Sequence, residues 1–154
     1  MPHIINYLTK IQFGDSAITE LANELQLLKI KRPLFVTDKG LSATPLITHV
    51  IESAQLDDSA FVFDDTPSNP TEVAVEQALT YLRFNHPGPL RQYAAIEGGV
   101  TKIKADVLPL IAIPTTAGTG SEVGRASLIT MKDNRKLGFL SPYLIPSVAI
   151  CDPR

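Results

Sequence analysis

Residues 113–124, IPTTAGTGSEVG, gather the side chains of this chain best suited to holding a phosphate. Ile113 and Pro114 close an apolar run, and Thr115, Thr116, Gly118, Thr119, Gly120 and Ser121 follow within seven positions. Glycine lets a backbone approach an anion closely, and hydroxyls and main-chain N–H groups can donate to its oxygens. The spacing is not G-x-G-x-x-G, because Val123 stands where the third glycine would be. No lysine follows the glycines, so it is not a Walker loop either. On composition alone a cofactor loop and a plain turn have even claims, since sites sit on loops but most loops bind nothing.

The other candidates are dispersed. Asp38 ends the run RPLFVTD. A carboxylate there can accept both ribose hydroxyls of an adenosine and repel a 2′-phosphate, or it can simply cap the next turn. Asn69 divides between helix N-cap and ligand contact, and Lys136 between phosphate partner and solvated lysine. His3, His49 and His86 pair with neither one another nor a carboxylate at ligand spacing, so no metal site is predicted. His49 lies in a helical pattern and is expected to be partly buried or at its edge. Cys151 falls in an apolar run and reads as core rather than nucleophile.

These residues need a scaffold, and two periodicities alternate to supply one. Ile18, Leu21, Ala22, Leu25 and Leu28 form a helical stripe, with Asp15 or Ser16 as its N-cap. RPLFVTD and SAFVF read as short buried strands. Between them Thr44 suits an N-cap and Pro45 the first helical position. Asn69, Pro70 and Glu72 fit an N-cap, a first-turn proline and a capping-box acid for a helix over 71–83. Strand and helix in alternation predict βαβ units and a mainly parallel sheet. The rhythm then fails over residues 84–106, which show only a weak helical patch at 90–95. A stretch of that length without structure is unusual in a compact domain. A strand resumes at VLPLIAIP, residues 107–114. ASLITM and KLGFLS flank KDNR as a β-hairpin, and PSVAIC forms a last strand.

Composition narrows the class. A chain of 154 residues suits one domain with its own core, and a net charge of −2 argues against a nucleic-acid partner. One cysteine allows no internal disulfide and fits a reducing compartment. MPHIINYLTK lacks the marks of a signal peptide, and no run is long enough to span a bilayer. The expectation is a soluble cytoplasmic protein.

With those residues in hand, the sequence resembles the iron-containing (group III) alcohol dehydrogenase family. PLIAIPTTAGTGSEVGRASLIT is close to that family's signature, and KRPLFVTDKGL, TPSNPTEVAVEQAL, RKLGFLSP and IPSVAICDP match its order and spacing. The resemblance covers nearly the whole chain but only the N-terminal half of a family member. It implies a Rossmann-like α/β domain over residues 1–154, mainly parallel, with flanking helices and a β-hairpin. By resemblance, Asp38 is the acid at the adenosine ribose, favouring NAD over NADP, and Asn69 lies near the adenine side. Thr115, Thr116, Gly118 and Thr119 belong to the pyrophosphate and nicotinamide loop, and Lys136 reaches the cofactor from the hairpin. The implied reaction is hydride transfer between nicotinamide and a small alcohol or aldehyde, assisted by a bound iron or zinc.

Two departures qualify that expectation. Family members carry a strand and a G-G-G-S-x-x-D turn after the helix at 71–83, and this βα unit is absent here. Gly98 and Gly99 do not replace it. The helical C-terminal domain that supplies an Asp and three His to the metal is likewise not in these residues. The chain by itself is therefore expected to be inactive. The competing expectations are a non-catalytic remnant with partial nucleotide binding or an interaction role, and an incomplete version of a longer product. A homodimer paired along the N-terminal edge strand, near INYLTKIQF, is also expected.

Overall fold

A computed structural model describes residues 9–56, 60–82 and 88–154, together with the backbone of residues 3–6. The elements run β1 (His3–Asn6), β2 (Lys10–Phe13), α1 (Leu21–Leu27), β3 (Leu34–Val36), the single turn α2 (Lys39–Ser42) and α3 (Pro45–Ser53). They continue as β4 (Phe61–Phe63), α4 (Glu72–Tyr81), β5 (Ile111–Ala112), β6 (Ala126–Thr130), β7 (Lys136–Leu140) and β8 (Val148–Cys151). Strand order in the largest sheet is β1-β2-β8-β5, with β8 parallel to both of its neighbours and β1 antiparallel to β2. β3 and β4 form a second, parallel pair, and β6–β7 is an antiparallel hairpin. Parallel pairings thus outnumber antiparallel ones, as the α/β alternation requires.

The main core follows the predicted stripe. Ile18, Leu21 and Leu25 pack with Val50 and Ala54 of the α3 region and with Val148 and Ile150 of β8. Phe35, Ile111 and Ile113 lean on the same cluster, so the strands that carry Asp38 and the threonine loop share one floor. Glu24 lies three positions beyond Leu21 on the same helical arc and is also buried. Its Oε1 accepts Lys10 Nζ at 2.5 Å and Gln12 Nε2 at 2.6 Å, which binds α1 to β2. A carboxylate this far from water is tolerable because the ammonium and the amide donor replace its hydration.

Several local expectations are corrected. Ala17–Glu20 is a 3-10 turn rather than the start of the helix, and Ser16 sits left-handed at φ 63° without capping it. The free N–H of Ile18 instead donates to Asp152 Oδ2 at 3.2 Å, a partner 134 residues away that no local motif could announce. β3 and β4 are only half buried, because in this two-strand pair Val36 and Phe61 face outward. The strand expected over 107–114 is paired only at Ile111–Ala112, and Val107, Leu108 and Leu110 are exposed. His49 is exposed on α3. Thr44 and Pro45 start α3 as read, with Thr44 Oγ1 accepting Leu46 N–H.

Residues 88–110 hold three 3-10 turns, Leu90–Tyr93, Ala95–Glu97 and Gly99–Thr101, and no strand. This is the interval where the alternation failed. It packs under the hairpin, forming a second core of Ala94, Ile129, Met131, Leu137 and Phe139 with Val75, Tyr93 and Leu144 around it. His86 and the start of the HPGPL turn lie outside the described residues.

Candidate functional site

Asp38 stands directly beyond β3, half buried and in extended backbone at φ −115°. One carboxylate oxygen accepts Leu41 N–H at 3.0 Å, so the residue N-caps α2. The structure therefore gives Asp38 its capping role outright, and that cap also fixes the direction of the carboxylate at the sheet edge. A Cβ at Gly40 would fall 2.9 Å from Asp38 Oδ1, so a larger residue there would push the capping carboxylate aside.

Asn69 is not a cap. Thr71 caps α4, its side chain accepting from Ala74 N–H at 3.2 Å, and Asn69 lies outside the helix and exposed. Asn69 Oδ1 instead accepts Lys136 Nζ at 3.1 Å, across 67 residues of sequence. Two bonds bring these residues together. Thr130 N–H donates to Pro70 O at 2.8 Å, and Lys132 N–H donates to Glu72 Oε2 at 2.9 Å, joining the hairpin to the first turn of α4. Glu72 is buried, so its carboxylate serves as a brace between elements rather than as a capping-box acid. A cleft of 310 Å³ opens along this seam, lined by Thr71, Val73, Thr130, Met131, Lys132 and Asn134. None of the seven residues picked from sequence lines it.

The loop after β5 is exposed at Thr115, Thr116, Gly118 and Thr119. Thr119 Oγ1 lies 3.0 Å from Ser121 Oγ and accepts Ser121 N–H at 3.3 Å. Gly118 and Gly120 adopt φ +84° and +66°, where other residues are strained. An added Cβ would meet nothing within 4 Å at either one, so the backbone here fronts open space. Hydroxyl donors beside a bare, accessible main chain are a donor set that fits a dinucleotide phosphate. Of the seven predicted residues, Asn69 and Lys136 are the two that bond directly. Asp38 and the threonine loop are each held by their own local bonds, on the floor they share.

The remaining candidates behave more simply. Burial, with Glu122 second, pushes the Cys151 thiol above its ordinary value, which keeps it protonated and a poor nucleophile. Among the described residues no group of three or more His, Cys, Asp and Glu is placed to hold a metal, so the residues present do not fit the metal that the resemblance implies. Among them, too, no helix is long and apolar enough to cross a membrane. Sequence reading missed the Glu72 brace because it depends on where the hairpin docks, and it missed the Thr71 cap because Asn69, two positions earlier, is an equally suitable capping type.

An open α/β architecture with a glycine–threonine loop at the end of a strand is of the nucleotide-binding type. A sequence model described as iron-containing alcohol dehydrogenase matches residues 9–90 and again 82–153. The chain belongs to the iron-containing alcohol dehydrogenase family. It is 41% identical to a 4-hydroxybutyrate dehydrogenase of Cupriavidus necator, over 97% of this chain and 45% of that protein. It is 31% identical to a 1,3-propanediol dehydrogenase of Klebsiella pneumoniae, over 92% of this chain and 43% of the relative. A solved 1,3-propanediol oxidoreductase superposes with a TM-score of 0.83 at 28% identity, covering 99% of this chain and 45% of its own. A sulfoacetaldehyde reductase from Bifidobacterium kashiwanohense, solved in complex with NAD+, gives 0.82 at 26% identity, over 96% of this chain and 45% of its own. The chain thus spans a little under half the length of these relatives. The alignment to the Cupriavidus protein runs over 174 positions, more than the 154 residues available here, so that relative carries residues with no counterpart in this chain. The two family matches overlap at residues 82–90, next to the point where the resemblance leads one to expect a further βα unit.

Proposed function

We propose that this chain carries the dinucleotide side of an alcohol or aldehyde oxidoreductase site and takes NAD in preference to NADP. The observation that carries the reading is the Lys136–Asn69 contact. It turns a hairpin lysine and an asparagine just ahead of α4, distant in sequence, into one polar wall. The residues divide the work by chemistry. Asp38 accepts the ribose hydroxyls and repels a 2′-phosphate, Thr115, Thr116 and Thr119 donate to the pyrophosphate, and Gly118 lets the chain approach it. Lys136 supplies the positive charge on that wall. When bound, the nicotinamide supplies the hydride acceptor or donor. No step through a metal is assigned to these residues, and we infer that the 154-residue chain binds dinucleotide without turning over alcohols. Two copies paired along β1, the outer strand of the largest sheet, complete the reading.

Calorimetric titration of NAD into the purified chain tests it. Binding should be measurable, and Asp38→Ala should weaken it roughly tenfold or more, the scale of losing hydrogen bonds to a charged group. Absence of heat with the unaltered chain would defeat the reading. A second reading, a non-catalytic remnant that acts through its surface, is favoured by one feature. Leu108, Leu110 and Leu128 are each more than half exposed, so apolar area is available for a partner. Sedimentation that gives a monomer while NAD binds would remove both that reading and the β1 pairing.

A further inference from the structure

The carboxyl ends of β3 and β4 bring together three carboxylates and one ammonium, of which only Asp38 has a role so far. Asp38 and Asp65 stand opposite each other in an antiparallel bridge. Asp64 Oδ2 accepts the hydroxyl of Ser42, the last residue of α2, at 2.9 Å. Lys39, next to Asp38 in the chain, turns its ammonium to Asp65 Oδ1 at 2.5 Å. Left unpaired, that ammonium would offer a 2′-phosphate an attractive partner one residue from the aspartate meant to repel it. With Asp65 in place the pair is neutral, and the carboxylates of Asp38 and Asp64 set the sign of the corner.

We propose that Asp65 is a second specificity residue of the dinucleotide site, holding Lys39 so that the Asp38 corner admits a ribose diol and rejects a 2′-phosphate. The inference rests on the reading of Asp38 as the ribose contact. Replacing Asp65 by asparagine removes one repulsive charge and frees one attractive charge with little change of shape. Both ends of the pair are more than half exposed, so solvent screening keeps the effect modest, at roughly fivefold to tenfold in NADP affinity.

Dissociation constants for NAD and NADP should be measured by calorimetry on the full chain, on Asp65→Asn and on Asp65→Asn with Lys39→Gln. The expected result is that Asp65→Asn lowers the ratio of the NADP to the NAD constant by roughly tenfold at low salt. Lys39→Gln in the same chain should restore the ratio, and about 0.3 M salt should compress the change. A purely structural role for Asp65 would weaken both dinucleotides together and leave the ratio unmoved, which would overturn the inference while the NAD site stood. Failure of the unaltered chain to bind NAD would remove the Asp38 reading, and this inference with it.

Discussion

The two cores of this molecule are built differently. The core under β2, β5 and β8 is apolar side chains interlocked from elements far apart in the sequence, with Leu21, Val148 and Ile150 almost fully buried. The core under the β6–β7 hairpin is smaller, and polar bonds at its margin add much of its definition. Glu72 holds Lys132 N–H, Lys132 Nζ reaches Glu76 at 2.7 Å, and Arg91 links Glu97 at 2.6 Å with Asp133 at 3.7 Å. The proposed dinucleotide site draws on both. Asp38 and the threonine loop stand on the first core, whereas Asn69 and Lys136 stand on the seam of the second. A ligand bridging them would lie on a firm floor against a wall held by directional bonds.

The sharpest way to break that contrast is to hollow the first core. Leu21→Ala should lower the free energy of unfolding by about 2–5 kcal/mol, the cost of a truncated buried leucine with incomplete collapse around it. Urea denaturation measures this, and a loss under about 1 kcal/mol would show that the first core is not the stabilising one. For the second core the largest effect is expected at Gly99. A Cβ there would lie 2.1 Å from the Tyr93 carbonyl carbon, and backbone cannot rotate away as a side chain can. Gly99→Ala should therefore cost about 1–3 kcal/mol and shift the 3-10 segment against the hairpin. NAD affinity should fall with it, since Lys136 rides on β7.

These two sites also show what was legible in advance. The stripe from Ile18 to Leu28 was readable because burial repeats every three or four residues whatever the partner is. The parallel alternation and the hairpin were readable from short apolar runs bounded by turn residues, and the break in rhythm after α4 falls where the described residues 88–110 hold no strand. Gly98 and Gly99 were read only as glycines that do not supply the turn expected from the resemblance. Their separate reasons, a left-handed φ of +71° and a close backbone approach, exist only in three dimensions. The Asn69 cap was misread because Asn-Pro-Thr-Glu offers two capping oxygens two positions apart, on Asn69 and Thr71. In the structure Thr71 accepts Ala74 N–H, while the docked hairpin bonds the neighbouring Pro70 O and Glu72.

Asn69 and Thr71 then separate stability from binding within one turn. Thr71→Ala should cost about 1 kcal/mol through the lost cap, with a smaller effect on NAD. Asn69→Ala should do the reverse, leaving the unfolding midpoint nearly in place while weakening NAD severalfold, because it removes the Lys136 partner from an exposed position. Equal effects of the two substitutions on both measurements would mean that the polar wall is merely structural.

The smallest effect concerns the margin of the second core under acid. The hydrogen bond from Arg135, with Arg91 adding a lesser attraction, holds the Asp133 carboxyl below its ordinary value. A depressed folded value means that the group favours the folded state above its unfolded value. That contribution disappears as pH falls through the lower, folded one. The hairpin loop should therefore loosen at pH below about 4. Asp133 is exposed, so the loosening should be slight and further reduced by salt. Amide exchange at Asn134 and Arg135, followed from pH 5 downward after correction for intrinsic rates, would detect it. Asp133→Asn should abolish the pH dependence at those two amides and leave the α1 amides untouched. A parallel acid response in α1 would instead mean that the loosening is not local to the hairpin loop, and that the two cores differ less in kind than their packing indicates.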